Sequence, residues 1–299
     1  MALYPSTVQS LIPALWATDL QVAYRKALVY GECANRKYQG MIKNMGDTVK
    51  INTFADVTLE SSYTRDTVIS GQSVQSTNST LAITQSNAFN VKWDEVNQTQ
   101  SAVKDGLSEI MSRTAYQMAD TVDQFVADTI VAGVATAAPD NLMTAVTDVG
   151  VGAGDTDPYD LLVDLNVLLS QSNVPKEGRW CVVPPWYMGE LAKTPARVSF
   201  GTADNLKIWS DGYFGIDRAS GLKLYVSNNV PTTSVVPTTG VFQVVAGHSD
   251  GITLAEQLVR YKSAEQPDGF YSNNLGVQLY GALATRPYAL AGVPVTKAS

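Results

Sequence analysis

The sequence predicts an α+β chain built in four successive parts, and three observations predict it. Two runs of alternating apolar residues flank a long polar stretch between Thr48 and Trp93. A single apolar stripe of helical period follows, from about Val96 to Gly133. Beyond it, short fully apolar runs alternate with capped helical segments, as in an α/β region.

The first part is an N-terminal arm ending in a helix. Pro13 suits a first helical turn. Trp16, Leu20, Ala23, Tyr24, Ala27 and Leu28 then recur at helical spacing, and Gly31 reads as the stop. The second part is an extended β-hairpin. Val49, Ile51, Val57 and Leu59 share one parity, as do Leu81, Ile83, Phe89, Val91 and Trp93. Glu60 to Thr80 between them is mostly Ser, Thr, Gln and Asn, with Gly71 at the expected tip. A loop this long with so little core of its own is expected where it has a function, here as an arm laid on a neighbouring subunit.

The third part is a long helix. Val96, Val103, Leu107, Ile110, Met111, Ala115, Met118, Val122, Phe125, Val126 and Ile130 form its stripe. Its period is nearer 3.6 than 3.5, so it reads as a spine on a sheet rather than a coiled coil. Gly106 weakens it by up to about 1 kcal/mol. Met111→Asp is expected to unfold the chain, because an unpaired buried charge is costly.

A low-complexity stretch from Ala135 to Asp157 opens the fourth part. Asp157 caps a helix with Pro158 at its first position, Asp160 in its first turn, and Leu161, Leu162, Leu165, Leu168 and Leu169 on its apolar face. Trp180-Cys181-Val182-Val183 reads as a strand covered on both faces. Pro184-Pro185 open a short helix, and Leu222–Val226 and Val241–Val245 read as strands. Two late stretches, Ile252–Lys262 and Phe270–Arg286, complete the region.

Composition narrows the function. The chain of 299 residues is 45% hydrophobic and only 16% charged, with net charge −7. A neutral polar surface suits broad protein–protein contacts. The acidic balance argues against a nucleic-acid reader, which needs a basic stripe, but is compatible with a container for nucleic acid. Cys33 and Cys181 form neither a disulfide framework nor a zinc motif. No signal-peptide pattern or membrane span is expected, since Asp120, Asp123 and Asp128 interrupt the best apolar candidate.

Catalytic chemistry is thinly represented. The single histidine, His248, lies in a Gly-His-Ser-Asp turn with no nucleophile elbow near it in sequence. Gly150-Val151-Gly152-Ala153-Gly154 lacks the spacing of a dinucleotide loop. Asp155, Asp157 and Asp160 carry the chemistry for a hard cation, but helix capping accounts for two of them. No catalytic residue, metal site or cofactor is therefore assigned.

Several segments resemble the major capsid proteins of tailed bacteriophages, with the HK-ninety-seven-type fold. They are Ile12–Trp16 followed by Arg25–Val29, Gly46–Ile51, Val182–Tyr187, Gly221–Pro231 and Tyr280–Pro287, the last resembling the family's final strand. The resemblance implies an N-terminal arm and helix over 1–45, an extended loop over 46–94 and a spine helix over 95–134. It also implies an axial domain over 135–240 and C-terminal strands of a peripheral domain over 241–299.

It implies a non-enzymatic protein of the virion capsid, made in the host cytoplasm, that self-assembles into an icosahedral shell around double-stranded phage DNA. The partners it implies are copies of the chain in hexamers and pentamers. Scaffolding, portal and decoration proteins and non-specifically packaged DNA are further candidates, and no membrane is involved. Glu60, Tyr63, Arg65 and Asp66 near the hairpin tip are the expected assembly contacts. Some members crosslink through a loop lysine, and here no lysine lies between Lys50 and Lys92, so a non-covalent shell is expected. A bacterial nanocompartment shell of the encapsulin type and an α/β hydrolase using His248 are the alternatives. Finding DNA rather than protein cargo separates the first from a virus; activity lost in His248→Ala would mark the second.

Overall fold

The structure is a computed structural model, and it describes residues 26, 28–39, 48–54, 65, 71, 73, 76–94, 106–136, 141–152, 154–193, 218–219, 221–232, 240–265, 269 and 271–298. Two sheets meet across one long helix.

The larger sheet has six strands in the order β4-β11-β8-β5-β7-β6. These are β4 (Thr147–Val149), β5 (Arg179–Val183), β6 (Arg218–Ala219), β7 (Leu222–Val226), β8 (Phe242–His248) and β11 (Leu290–Lys297). Strand β5 sits inside it, parallel to β7 and antiparallel to β8. Its apolar run is explained by burial on both faces. Cys181 and Val183 join one core and Trp180 and Val182 the other.

The first core is closed by α3 (Pro158–Gln171) and α4 (Pro185–Lys193) through Leu161, Leu162, Leu165, Leu169, Tyr187 and Leu191. The start of α3 is set as expected: the Asp157 side chain accepts from the Tyr159 N–H at 2.8 Å, and Pro158 follows it. At its other end, Arg179 is 3% exposed. It donates to the carbonyls of Asn166 (3.1 Å), Val174 and Pro175 (2.9 Å) and to Ser170 Oγ (2.9 Å). The guanidinium thus ties the turn after α3, at Val174 and Pro175, back to the helix at Asn166 and Ser170.

The second core is closed by α2 (Gly106–Thr136), whose Val122, Val126, Ile130 and Val134 follow i, i+4 spacing. They pack with Ile252, Leu254, Tyr280 and Leu290, and Phe125 meets Tyr280 edge-on at 5.3 Å between ring centroids. The spine thus packs on sheet, as its period predicts. Its buried stretch is shorter than the stripe. Met111 is half-buried, Ala115 exposed and Ile110 37% exposed. The expectation for Met111 is corrected accordingly, because the helix is enclosed between the two sheets only from Val122 onward.

The smaller sheet is antiparallel, in the order β3-β10-β9, from β3 (Gln85–Asp94), β9 (Ile252–Glu265) and β10 (Tyr271–Ala284). Here the hairpin differs from expectation. Strand β1 (Thr48–Phe54) pairs with β2 (Ser76–Ala82), from Thr48 opposite Ala82 to Phe54 opposite Ser76. The chain then breaks at Ile83–Thr84, and β3 leaves the hairpin to pair with β10. Gly281 makes this crossing possible: a Cβ there would lie 2.3 Å from the Ala82 carbonyl oxygen.

Two further readings are corrected. Gly31 lies inside a helical turn, α1 (Tyr30–Cys33), instead of ending a helix, and residues 13–25 of the expected N-terminal helix lie outside the described residues. Tyr280–Pro287 is not the last strand. Strand β11 follows it and lies between β4 and β8. Pro294 disguises it, since proline is rare inside a sheet. The chain beside it changes at that point: Leu142 bridges Gly292, and β4 pairs only from Val295 onward.

Candidate functional site

Among the described residues, the hairpin is anchored at its root. Ile51, Leu81 and Ile83 pack with Ala255 and Leu279 of the smaller sheet. Outward from that root the facing pairs are Asn52–Asn78, Thr53–Thr77 and Phe54–Ser76. Asn52, Ser76 and Asn78 are exposed. These three polar side chains bury little on their own subunit. Of the four expected contact residues, Arg65 is an exposed turn residue, while Glu60, Tyr63 and Asp66 lie outside the described residues.

A polar junction, exposed at Lys26 and buried at Asp123, holds the N-terminal segment onto the spine. Lys26 Nζ pairs with Asp120 at 3.1 Å, and its backbone N–H donates to Tyr116 Oη at 2.7 Å. Asn229 donates from Nδ2 to both Asp120 (2.7 Å) and Asp123 (3.1 Å). Asp123, 2% exposed, also accepts from the Gly31 N–H at 3.3 Å. Burial pushes the Asp123 carboxyl above its ordinary pKa, against the lowering pull of Asn229 and the α1 N–H groups.

An acid whose folded pKa is raised holds its proton longer in the native state. Its contribution to stability is full at low pH and is lost as pH rises from the ordinary carboxylate range through the raised value. The melting temperature of the wild-type chain, minus that of Asp123→Asn, is therefore expected to fall as pH rises through that window. A difference independent of pH would refute the assignment.

The other sequence candidates have structural duties. His248 Nδ1 accepts from the Asp250 N–H at 3.1 Å, closing the turn between β8 and β9. Asp250 accepts from Lys37 Nζ (3.0 Å) and Asn35 Nδ2 (3.1 Å), and the Lys37 bond holds its carboxyl below the usual range. Asp155 accepts from the Gly152 N–H at 3.0 Å, and Asp157 caps α3. Among the described residues, no three His, Cys, Asp or Glu side chains converge as a metal site.

A cavity of about 540 Å³ opens between Cys33, Trp180, Lys223 and Tyr225, with Lys176 and Glu177 also lining it. Burial pushes the Cys33 thiol up, away from a reactive thiolate. His248 does not line the cavity. No helix among the described residues is long and apolar enough to cross a membrane.

An anchored hairpin, a spine helix and two sheets are the parts that the resemblance implied, and the family comparison decides the matter. The family model described as phage capsid protein matches residues 77–293. The chain belongs to the phage capsid protein family. The capsid protein is thus a shell-forming component of the virion that associates with its own copies, in a family of structural proteins.

Its fold is that of solved phage capsids. A Mycobacterium phage Che8 structure is 22% identical with a TM-score of 0.74, covering 94% of this chain and 96% of the other. The capsid of Cyanophage P-SCSP1u is 16% identical with a TM-score of 0.73, covering 100% of both chains. The capsid of a native GTA particle is 14% identical with a TM-score of 0.67, again covering 100% of both. No curated protein matches the capsid protein in sequence.

Proposed function

We propose that the capsid protein closes the icosahedral shell around double-stranded phage DNA, as hexamers and pentamers of itself. The family match over 77–293 carries this reading. The work of the protein is assembly rather than turnover. Its contacts are heterologous, in which different patches of each copy meet, and such contacts close into rings. Each is modest, but many act together in a closed shell.

The hairpin serves as the extended loop, rooted at Ile51 and Leu81 and laid across the next copy, with Glu60, Tyr63, Arg65 and Asp66 as contacts. The division into arm (1–45), loop (46–94), spine (95–134), axial (135–240) and peripheral (241–299) parts is kept, with one qualification. Strands β8 and β11 lie past residue 240 yet complete the larger sheet. Scaffolding, portal and decoration proteins are the further partners proposed, with synthesis in the host cytoplasm. With no lysine between Lys50 and Lys92, the shell is held without covalent loop crosslinks.

Deleting residues 62–78 is the test. The expected product keeps its thermal transition but stays unassembled in light scattering and negative-stain microscopy. Closed shells from the deleted chain would overturn the arm.

A further inference from the structure

We propose that the junction around Asp123 is a proton-operated clasp on the N-terminal segment. While Asp123 keeps a proton, Lys26 and residues 28–33 lie closed on α2, and loss of that proton raises the population in which they lift away. Residues 35–39 stay in place in both states, so the clasp acts on one half of the segment.

The two halves are held by different chemistry. Downstream, the Asn35 N–H donates to the Ile252 carbonyl at 2.9 Å, and its carbonyl accepts from the Leu254 N–H at 2.9 Å. Arg36 pairs with Glu256, and Lys37 Nζ pairs with Asp250 at 3.0 Å. Each carboxylate there has its own cation. Upstream the balance differs. Asp120 and Asp123 stand at i and i+3 on the spine and share the Asn229 amide. Among the described residues, Lys26 is the ammonium that meets them, with Nζ 3.1 Å from Asp120 and 3.1 Å from Asn229 Oδ1. Two ionised carboxylates against one ammonium leave one negative charge uncompensated, and Asp123 would carry it in a buried place. One proton removes it.

The other titratable groups near Asp123 supply no compensating charge. Burial raises both Tyr30 and Cys33 of α1, so they stay neutral. Asp128 acts on Tyr30 and Glu32 on Cys33, each with negative charge, and the Lys223 ammonium is felt only weakly, at Cys33. The closed state also carries a standing cost. Among the described residues, the buried Tyr30 Oη has no hydrogen-bond partner, and lifting α1 hydrates it together with Asp123. Once lifted, Asp123 regains its ordinary carboxylate behaviour. The closed state therefore binds the proton more tightly, and lifting grows easier as pH rises from the ordinary carboxylate range through the raised value, then levels off.

Cys33 is the reporter, since it is nearly buried in α1, while Cys181 is wholly buried in the other core and reports global unfolding. The full-length chain is labelled from acid to neutral pH with dithiodipyridine, which reacts with thiols even in acid. Each rate is divided by that of Asp123→Asn or Asp120→Asn at the same pH, which cancels the reagent's own pH dependence. Either variant leaves one carboxylate opposite Lys26, so neither should open with pH. The ratio at Cys33 is expected to rise by up to about tenfold per pH unit through the window, the limit for one linked proton. Cys181 should stay unlabelled, and hydrogen exchange at the Leu254 N–H should not change relative to the variants. A ratio that is flat with pH against both variants would overturn the clasp. So would labelling of Cys181, or faster exchange at Leu254, in step with Cys33, because the whole segment or subunit would then be opening.

Discussion

Ile130→Asp is expected to leave no folded subunit. Ile130 is fully buried in the apolar core formed by α2, β9, β10 and β11. An unpaired carboxylate there loses its hydration, and the lost apolar contact adds about 2–3 kcal/mol. The total exceeds about 5 kcal/mol, comparable to the whole stability of many domains. The expected observation is loss of the cooperative thermal transition and aggregation on expression. Ile130→Val removes one methylene and is expected to cost about 1 kcal/mol. Met111→Asp is expected to cost far less than Ile130→Asp, because Met111 keeps one side toward solvent. Equal damage at both positions would refute the division of α2 into a buried and an open half.

Arg179→Met is the second large effect. The side-chain volume is nearly kept, but the donors to Asn166, Val174 and Pro175 are lost. The buried Val174 carbonyl then loses a charged donor, as do the Pro175 and Asn166 carbonyls, at about 3 kcal/mol in total. In a chain this long, melting should drop by roughly 6 °C or more. Arg179→Lys is expected to recover only part, since an ammonium lacks the planar fork that reaches several carbonyls at once. A methionine variant that melts like wild type would show that water takes over the guanidinium's role.

The candidate assembly site was only half legible in the chain. The hairpin was visible as alternation around a polar stretch, but its root at Ile51 and Leu81 is defined by packing on Ala255 and Leu279 of distant strands. The face that the outer part of β9 presents was not visible. Arg260 and Lys262 differ in parity from Ala255 and Gln257, so a strict period of two puts them on the opposite side. Only a bulge in β9 opposite Val277 brings them round, and it is defined by the partner strand.

Features with a local cause were settled by the sequence itself. Asp157 and Pro158 start α3 because a side-chain acceptor and a fixed φ act within three residues. The run Trp180–Val183 read as a strand covered on both sides, and the stripe through Val122, Val126 and Ile130 as a helix packed on sheet, and both are found. Tertiary structure decided what depends on distant partners. It paired β3 with β10 instead of the hairpin, placed Pro294 within a sheet, and enclosed only the later half of α2. The reason is physical. Capping and helical periodicity are satisfied within a few residues, whereas a strand's neighbour and a side chain's burial are fixed by segments far along the chain, through hydrogen bonds and packing that exist only in the folded chain.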